Sequence, residues 1–186
     1  AAIRWSRLGM RAGSVTRPHR TALITQEVHV FAGTLRENLT LGAPDVTDEQ
    51  VHAALDATGM ASMVDGTPHG LDTIVGTTGH SLTPAQAQQL ALARMMLVDP
   101  ELAIFDEATA EAGSTHAEML DHAADAALRG RTGLVIAHRL SQAVSCDRIL
   151  VMDRGRIIED GTHPALVAAG GVYARLWAAW ESTPGR

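Results

Sequence analysis

In Leu102-Ala103-Ile104-Phe105-Asp106-Glu107, four apolar residues deliver two adjacent carboxylates. An apolar run without alternation predicts a strand buried on both faces, as in a parallel sheet. Open α/β sheets bind ligands at the C-terminal ends of such strands. Paired acids at that place suit phosphoryl transfer, where one holds Mg²⁺ and its neighbour orients an attacking water. Alone, the same pair serves equally well as two acids capping a strand. Three other polar features stand at predicted sheet edges and helix starts: Gln26, the segment Leu82-Thr83-Pro84-Ala85-Gln86, and His138.

The elements that position these residues follow from periodicity and punctuation. Ala22 to Thr25 reads as a strand end before Gln26. Thr47 and Gln50 form a capping box for a helix whose inward face is Val51, Ala54, Leu55 and Thr58. Thr83 starts another helix, with Pro84 at its first position and Gln86 closing the box; Leu90, Ala93 and Leu97 form its stripe, and Pro100 ends it. After the acidic pair, a helix from about Thr115, boxed by Glu118, runs to Gly130, and Gly133 to Ala137 then leads to His138. Strand, helix and strand make a βαβ unit. Arg148 to Met152 and Arg156 to Glu159 flank Asp153-Arg154-Gly155 as a hairpin, and helical turns from Pro164 to Glu181 follow. Alternation of strands with helices predicts an α/β layer architecture.

Composition narrows the classes. At 186 residues, 46% hydrophobic and 19% charged, the chain is long enough for a core and too apolar for general disorder. One cysteine, Cys146, forms no internal disulfide, so a reducing cytoplasm is the default. No stretch reaches the ~20 apolar residues of a membrane-spanning helix. All fifteen basic residues are arginines, five of them within residues 1–20, where there is no acid. That basic arm differs from the acidic remainder. Its scattered charges do not make a nucleic-acid motif.

Taken together, Gln26, Leu82 to Gln86, Asp106-Glu107 and His138 resemble the ATP-binding cassette (ABC) family, closest to exporter-type nucleotide-binding domains. Thr25 to Leu39 is similar to their Q-loop and following helix. The resemblance implies an incomplete P-loop NTPase-like fold, a mostly parallel sheet flanked by helices plus a helical signature subdomain. Residues 1–20 form the arm and 21–182 the C-terminal part of the domain, with 34–97 helical and 98–182 the core. It further implies ATP and Mg²⁺ as ligands, with Asp106 on the metal and Glu107 polarising water. His138 would lie near the γ-phosphate, and Gln26 would touch metal and water. Thr83, Ala85 and Gln86 would meet nucleotide across a dimer. Implied partners are a second nucleotide-binding domain and membrane-spanning domains, at the cytoplasmic face of the cell membrane, with no nucleic acid.

Departures from the pattern matter as much. A P-loop, GxxxxGK[ST], cradles phosphates with backbone N–H groups and a lysine; the sequence has neither the motif nor any lysine. The chain therefore reads as a C-terminal portion that cannot hydrolyse ATP alone. Leu-Ser-Gly-Gly-Gln of the family is here Leu82-Thr83-Pro84-Ala85-Gln86, which keeps a hydroxyl and the helix start. Pro84 offers no N–H, however, and Ala85 adds a Cβ. Ala110-Glu111-Ala112-Gly113 lacks the D-loop aspartate, and Thr73 to Gly79 lacks the charges of the exporter X-loop. The other reading is a non-catalytic interaction module or degenerate remnant. Tyr173, Trp177 and Trp180 share a helix face suited to packing, and His116 and His122, six apart, make no metal pair. A sheet stripped of its early strands should be poorly soluble.

Overall fold

The computed structural model describes residues 2–4, 21–25, 27–77, 79–106, 114–137 and 140–182. In chain order the strands are β1 (Ala2–Arg4), β2 (Thr21–Ile24), β3 (Gly33–Thr34), β4 (Ile74–Val75), β5 (Leu102–Asp106), β6 (Thr132–Ala137), β7 (Ile149–Asp153) and β8 (Arg156–Gly161). The helices are α1 (Leu35–Leu39), α2 (Asp48–Ala57), α3 (Ala61–Asp65), α4 (Pro84–Val98), α5 (Ser114–Leu128), α6 (Ser141–Val144), α7 (His163–Ala168) and α8 (Val172–Glu181). The main sheet has the order β2-β5-β6-β1-β7-β8, and β3 pairs with β4 in a small second sheet. β2, β5 and β6 pair in parallel, and β5-α5-β6 is the expected βαβ unit.

Local rules set several helix starts. Capping boxes close α1 (Thr34 with Glu37), α2 (Thr47 with Gln50) and α4 (Thr83 with Gln86), each stabilising its helix by about 1 kcal/mol. α4 has Pro84 in its first turn and ends at Asp99 in the left-handed conformation, φ 48°, just before Pro100. α5 begins at Ser114, so Thr115 lies inside the helix rather than capping it.

α4 is the hub. Leu90 and Ala93 pack with Leu35, Leu39, Val51, Leu55 and Val75 in a helical cluster. Leu92 and Met95 join Ile24, Ala103, Phe105, Leu120 and Ala127 beneath the sheet. The single inward stripe expected of α4 is thus two stripes, because a helix between two cores buries both sides. Gln89 ties α4 to the end of α2 by donating from Nε2 to Thr58 O (2.8 Å). In β5 only Ala103 and Phe105 are fully buried; Leu102, Ile104 and Asp106 are half-buried, so the strand is less enclosed than its apolar run suggested.

The hairpin β7–β8 turns through Arg154 and Gly155, both at positive φ (46° and 76°), the conformation that matches strand twist in a two-residue turn. A third cluster of Ala143, Cys146, Ile149, Val151, Leu166 and Tyr173 seats α7 and α8 against it. Glu159 on β8 accepts from the Val172 N–H (2.5 Å) and the Tyr173 N–H (2.9 Å), anchoring the start of α8. Trp177 and Trp180 stack with centroids 4.7 Å apart, and Tyr173 Oη meets His163 Nδ1 at 2.7 Å.

Tyr173 is the chain's single tyrosine. Burial, aided by the nearby Cys146, pushes its phenol above the ordinary value. Its neutral form then contributes stability in full below the unfolded pKa of about 10, and that contribution is lost as pH rises through the higher folded value. A titration at 295 nm should give a midpoint above that of free tyrosine, falling to the ordinary value in denaturant. An ordinary midpoint in the folded chain would contradict the burial.

Candidate functional site

Register aligns the ends of the three parallel strands. Ile24 pairs with Phe105, Phe105 with Val135, and Asp106 with Ile136. Asp106 closes β5 at this edge and is half-buried. Glu107, Gln26, His138 and the segment 110–113 lie outside the described residues. The strands that lead to the first three are described: β2 ends two residues before Gln26, β5 one before Glu107 and β6 one before His138.

Chain geometry at Thr25 ties this edge to α4. Gln88 donates from Nε2 to Thr25 O (3.3 Å), and Thr25 Oγ1 donates to Glu27 O (3.0 Å). A helix that opens at Thr83 therefore grips the backbone one residue before Gln26.

At the start of α4, Thr83, Ala85 and Gln86 stand together. The Thr83 N–H donates to Gln86 Oε1 (2.9 Å), and the Gln86 N–H donates to Thr83 Oγ1 (3.2 Å). Pro84 has no N–H, so of the first three helical amides only that of Ala85 is neither missing nor used by the capping box. As an anion cradle this helix start is poor. Among the described residues, no hydrogen bond joins Asp106 to Thr83, Ala85 or Gln86.

Beside the edge lies an open groove of about 260 Å³ between β2, residues 27–31 and α4, lined by Leu23, Val28, Phe31, Arg94, Met95 and Val98. Its wall is held by a polar clamp. Arg94 donates to Asn38 O (2.6 Å), Asn38 Oδ1 (2.5 Å) and His29 O (2.7 Å), and lies over the Phe31 ring at 5.7 Å. Asn38 is buried; it also accepts from the Phe31 N–H (3.0 Å) and donates to Phe31 O (2.9 Å) and Thr34 O (3.0 Å). Burial lowers the pKa of the Arg94 guanidinium, which stays a cation. Sequence reasoning missed Asn38, Gln88, Gln89 and Arg94. Only the polarity of four residues on otherwise apolar helical faces could have marked them.

Among the described residues, no three His, Cys, Asp or Glu side chains gather into a metal cage. Mg²⁺ in nucleotide sites is held by one or two carboxylates together with phosphate oxygens. A single hard carboxylate such as Asp106, half-buried at the sheet edge, fits that donor set.

The sequence model that matches this chain is that of the ABC transporter family, over residues 7–110. The chain belongs to that family, and its fold is that of an exporter-type ABC cassette. A multidrug efflux ATP-binding/permease protein of Mycobacterium bovis is 42% identical over 161 residues, which is 87% of this chain and 14% of that protein. An ATP-dependent lipid A-core flippase of Neisseria gonorrhoeae is 39% identical over 83% of this chain and 25% of its own length. A bacterial Atm1-family ABC exporter with ATP bound superposes with a TM-score of 0.77 at 31% identity, covering 90% of this chain and 29% of that one. The chain thus spans a quarter or less of these two sequence relatives.

Proposed function

We propose that this chain is the C-terminal part of the ATP-binding domain of an ABC exporter, coupling ATP hydrolysis to transmembrane transport in a larger assembly. Residues 21–182 form that part, with 34–97 as its helical subdomain and 98–182 as its core. The observation that carries the reading is the parallel register ending β2, β5 and β6 at one edge, with Asp106 on it. In this proposal Asp106 holds Mg²⁺, Glu107 orients the attacking water, Gln26 contacts both, and His138 reaches the γ-phosphate. Thr83, Ala85 and Gln86 face the nucleotide of a second nucleotide-binding domain. ATP supplies the transferred phosphoryl group and Mg²⁺ its charge neutralisation.

Membrane-spanning partner domains place the assembly at the cytoplasmic face of the cell membrane; no described helix is itself long and apolar enough to cross a bilayer. The groove beside β2 supports contact with such a partner, because Leu23 and Phe31 are left exposed there. Nucleic acid has no place in this reading. The isolated chain does not hydrolyse ATP, because its 186 residues contain no lysine for a phosphate cradle.

A non-catalytic module is the second reading, favoured by one observation: the Thr83 and Gln86 side chains are engaged with each other in the capping box. Calorimetric titration of an assembly that supplies the phosphate cradle, with Mg²⁺ and a non-hydrolysable ATP analogue, separates the two. Binding tighter than about 1 mM, roughly 4 kcal/mol, that is lost in Asp106→Asn supports the ATP-binding domain. Absent binding, or binding indifferent to Asp106, supports the module.

Repair of the signature gives a further prediction. Pro84→Gly with Ala85→Gly restores an N–H and removes a Cβ, while the Thr83–Gln86 box still starts the helix. Nucleotide affinity in the dimeric assembly should rise, and the stability of the chain should fall by about 1–2 kcal/mol from two helical glycines. Unchanged affinity would show that the α4 start does not meet nucleotide.

A further inference from the structure

One buried amide joins three helices. Gln89 on α4 is 3% exposed. Its Nε2 donates to Thr58 O at the end of α2 (2.8 Å) and to Met119 Sδ on α5 (3.5 Å), which uses both of its N–H groups. Gly59, at φ 70°, lets both side chains come close: a Cβ there would stand 3.3 Å from Gln89 Nε2 and 3.7 Å from Met119 Sδ. Among the described residues, no other methionine accepts a hydrogen bond at sulfur.

Exposure sets Met119 apart from the methionines of the core. Met60 and Met95 are buried, whereas Met63, Met96, Met119 and Met152 are half-buried. A thioether is a soft, polarisable group, and peroxide oxidises it wherever the sulfur can be reached. Sulfur carries two lone pairs. At Met119 the Gln89 N–H engages one of them, so attack on an oxidant starts from the other.

We infer that Met119 is a reversible oxidation site, with hydrogen peroxide as its oxidant, and that Gln89 selects which sulfoxide epimer forms. The free lone pair attacks a peroxide oxygen, so an S–O bond forms and the O–O bond breaks. The proton left on the transferred oxygen passes to the departing hydroxide, and water leaves. Sulfur gives up two electrons and the peroxide takes them. A thiol-dependent reductase reverses the step and removes the oxygen as water.

Oxidation changes the junction because it adds a polar oxygen where the thioether already touches Gln89 and lies against Gly59. A sulfoxide oxygen is a stronger acceptor than a thioether, and it competes with Thr58 O for the same buried amide. The hold of α4 on the end of α2 therefore loosens in the oxidised chain. The inference stands on this geometry and is independent of the functional reading above.

The test treats the full chain with limiting hydrogen peroxide, digests it, and exposes the Met119 peptide separately to the two epimer-specific methionine sulfoxide reductases. Met119 should be oxidised at least about tenfold faster than Met60 and Met95, and about 90% of its sulfoxide should be one epimer. Chain oxidised in denaturant should give both epimers in near-equal amounts, as should folded Gln89→Leu.

Amide exchange over residues 54–60, where the Thr58, Gly59 and Met60 N–H groups close the end of α2, reads the second consequence. Oxidation should quicken it about threefold or more, and reductase treatment of the intact protein should restore it. Met119→Leu keeps the bulk and removes the sulfur, so peroxide should leave its exchange there unchanged. No sulfoxide at Met119, near-equal epimers from the folded wild type, or the same single epimer in Gln89→Leu would overturn the inference. So would exchange at 54–60 that oxidation leaves unchanged, or that quickens equally in Met119→Leu.

Discussion

Asn38→Ala should lower the stability of the chain by about 3–5 kcal/mol, read by chemical denaturation. Asn38 is 2% exposed and joins four partners in one network: the Phe31 N–H, Phe31 O, Thr34 O and Arg94. Alanine leaves Phe31 N–H and O without those side-chain partners and strips Arg94 of one of its three acceptors. Groups in such a network polarise one another, so their joint loss exceeds that of a typical single hydrogen bond of about 1 kcal/mol. Asn38→Asp keeps both acceptor bonds and loses both donor bonds, and its effect should fall between wild type and alanine. A loss below about 1 kcal/mol for Asn38→Ala would mean that the freed groups find water and that the clamp is not a stability element.

In an assembly that supplies the phosphate cradle, Glu107→Gln should reduce ATP turnover by about a hundred- to ten-thousand-fold, the usual worth of a positioned general base. The amide keeps the shape of the side chain and removes its ability to take a proton from water. Nucleotide affinity should be unchanged, which separates this variant from Asp106→Asn, where Mg²⁺-dependent affinity falls as well. Steady-state phosphate release with a parallel binding titration measures both. Turnover within tenfold of wild type in Glu107→Gln would remove Glu107 from the reaction.

Features governed by neighbouring residues were legible in the sequence. Thr47 with Gln50 and Thr83 with Gln86 announce their helices because a capping box needs only a hydroxyl and an amide three residues apart. Arg154-Gly155 announces a hairpin, and the apolar run before Asp106 announces a strand of the parallel sheet. The position of Asp106 at the edge follows from that run.

What the sequence hid depends on distant partners. β1 is three residues of a basic segment and is a strand because Ala137 and Val151 are beside it. β3 and β4 have two residues each, too few for a period. Arg94 and Asn38 are 56 residues apart, and Gln88 reaches Thr25 across 63. The second contact ties the first half of α4 to the backbone beside Gln26, and no local pattern announces either. Of the proposed site, Thr83, Ala85, Gln86 and Asp106 could be placed, while Gln26, Glu107 and His138 fall outside the described residues.

The central claim is that these residues keep the water-activating acids of an ATPase without a grip on the triphosphate. Phosphate release from Mg²⁺-ATP by the purified 186-residue chain, measured beside its Glu107→Gln variant, tests it most directly. The account predicts the same background from both. Release from the wild-type chain that disappears in Glu107→Gln would contradict it.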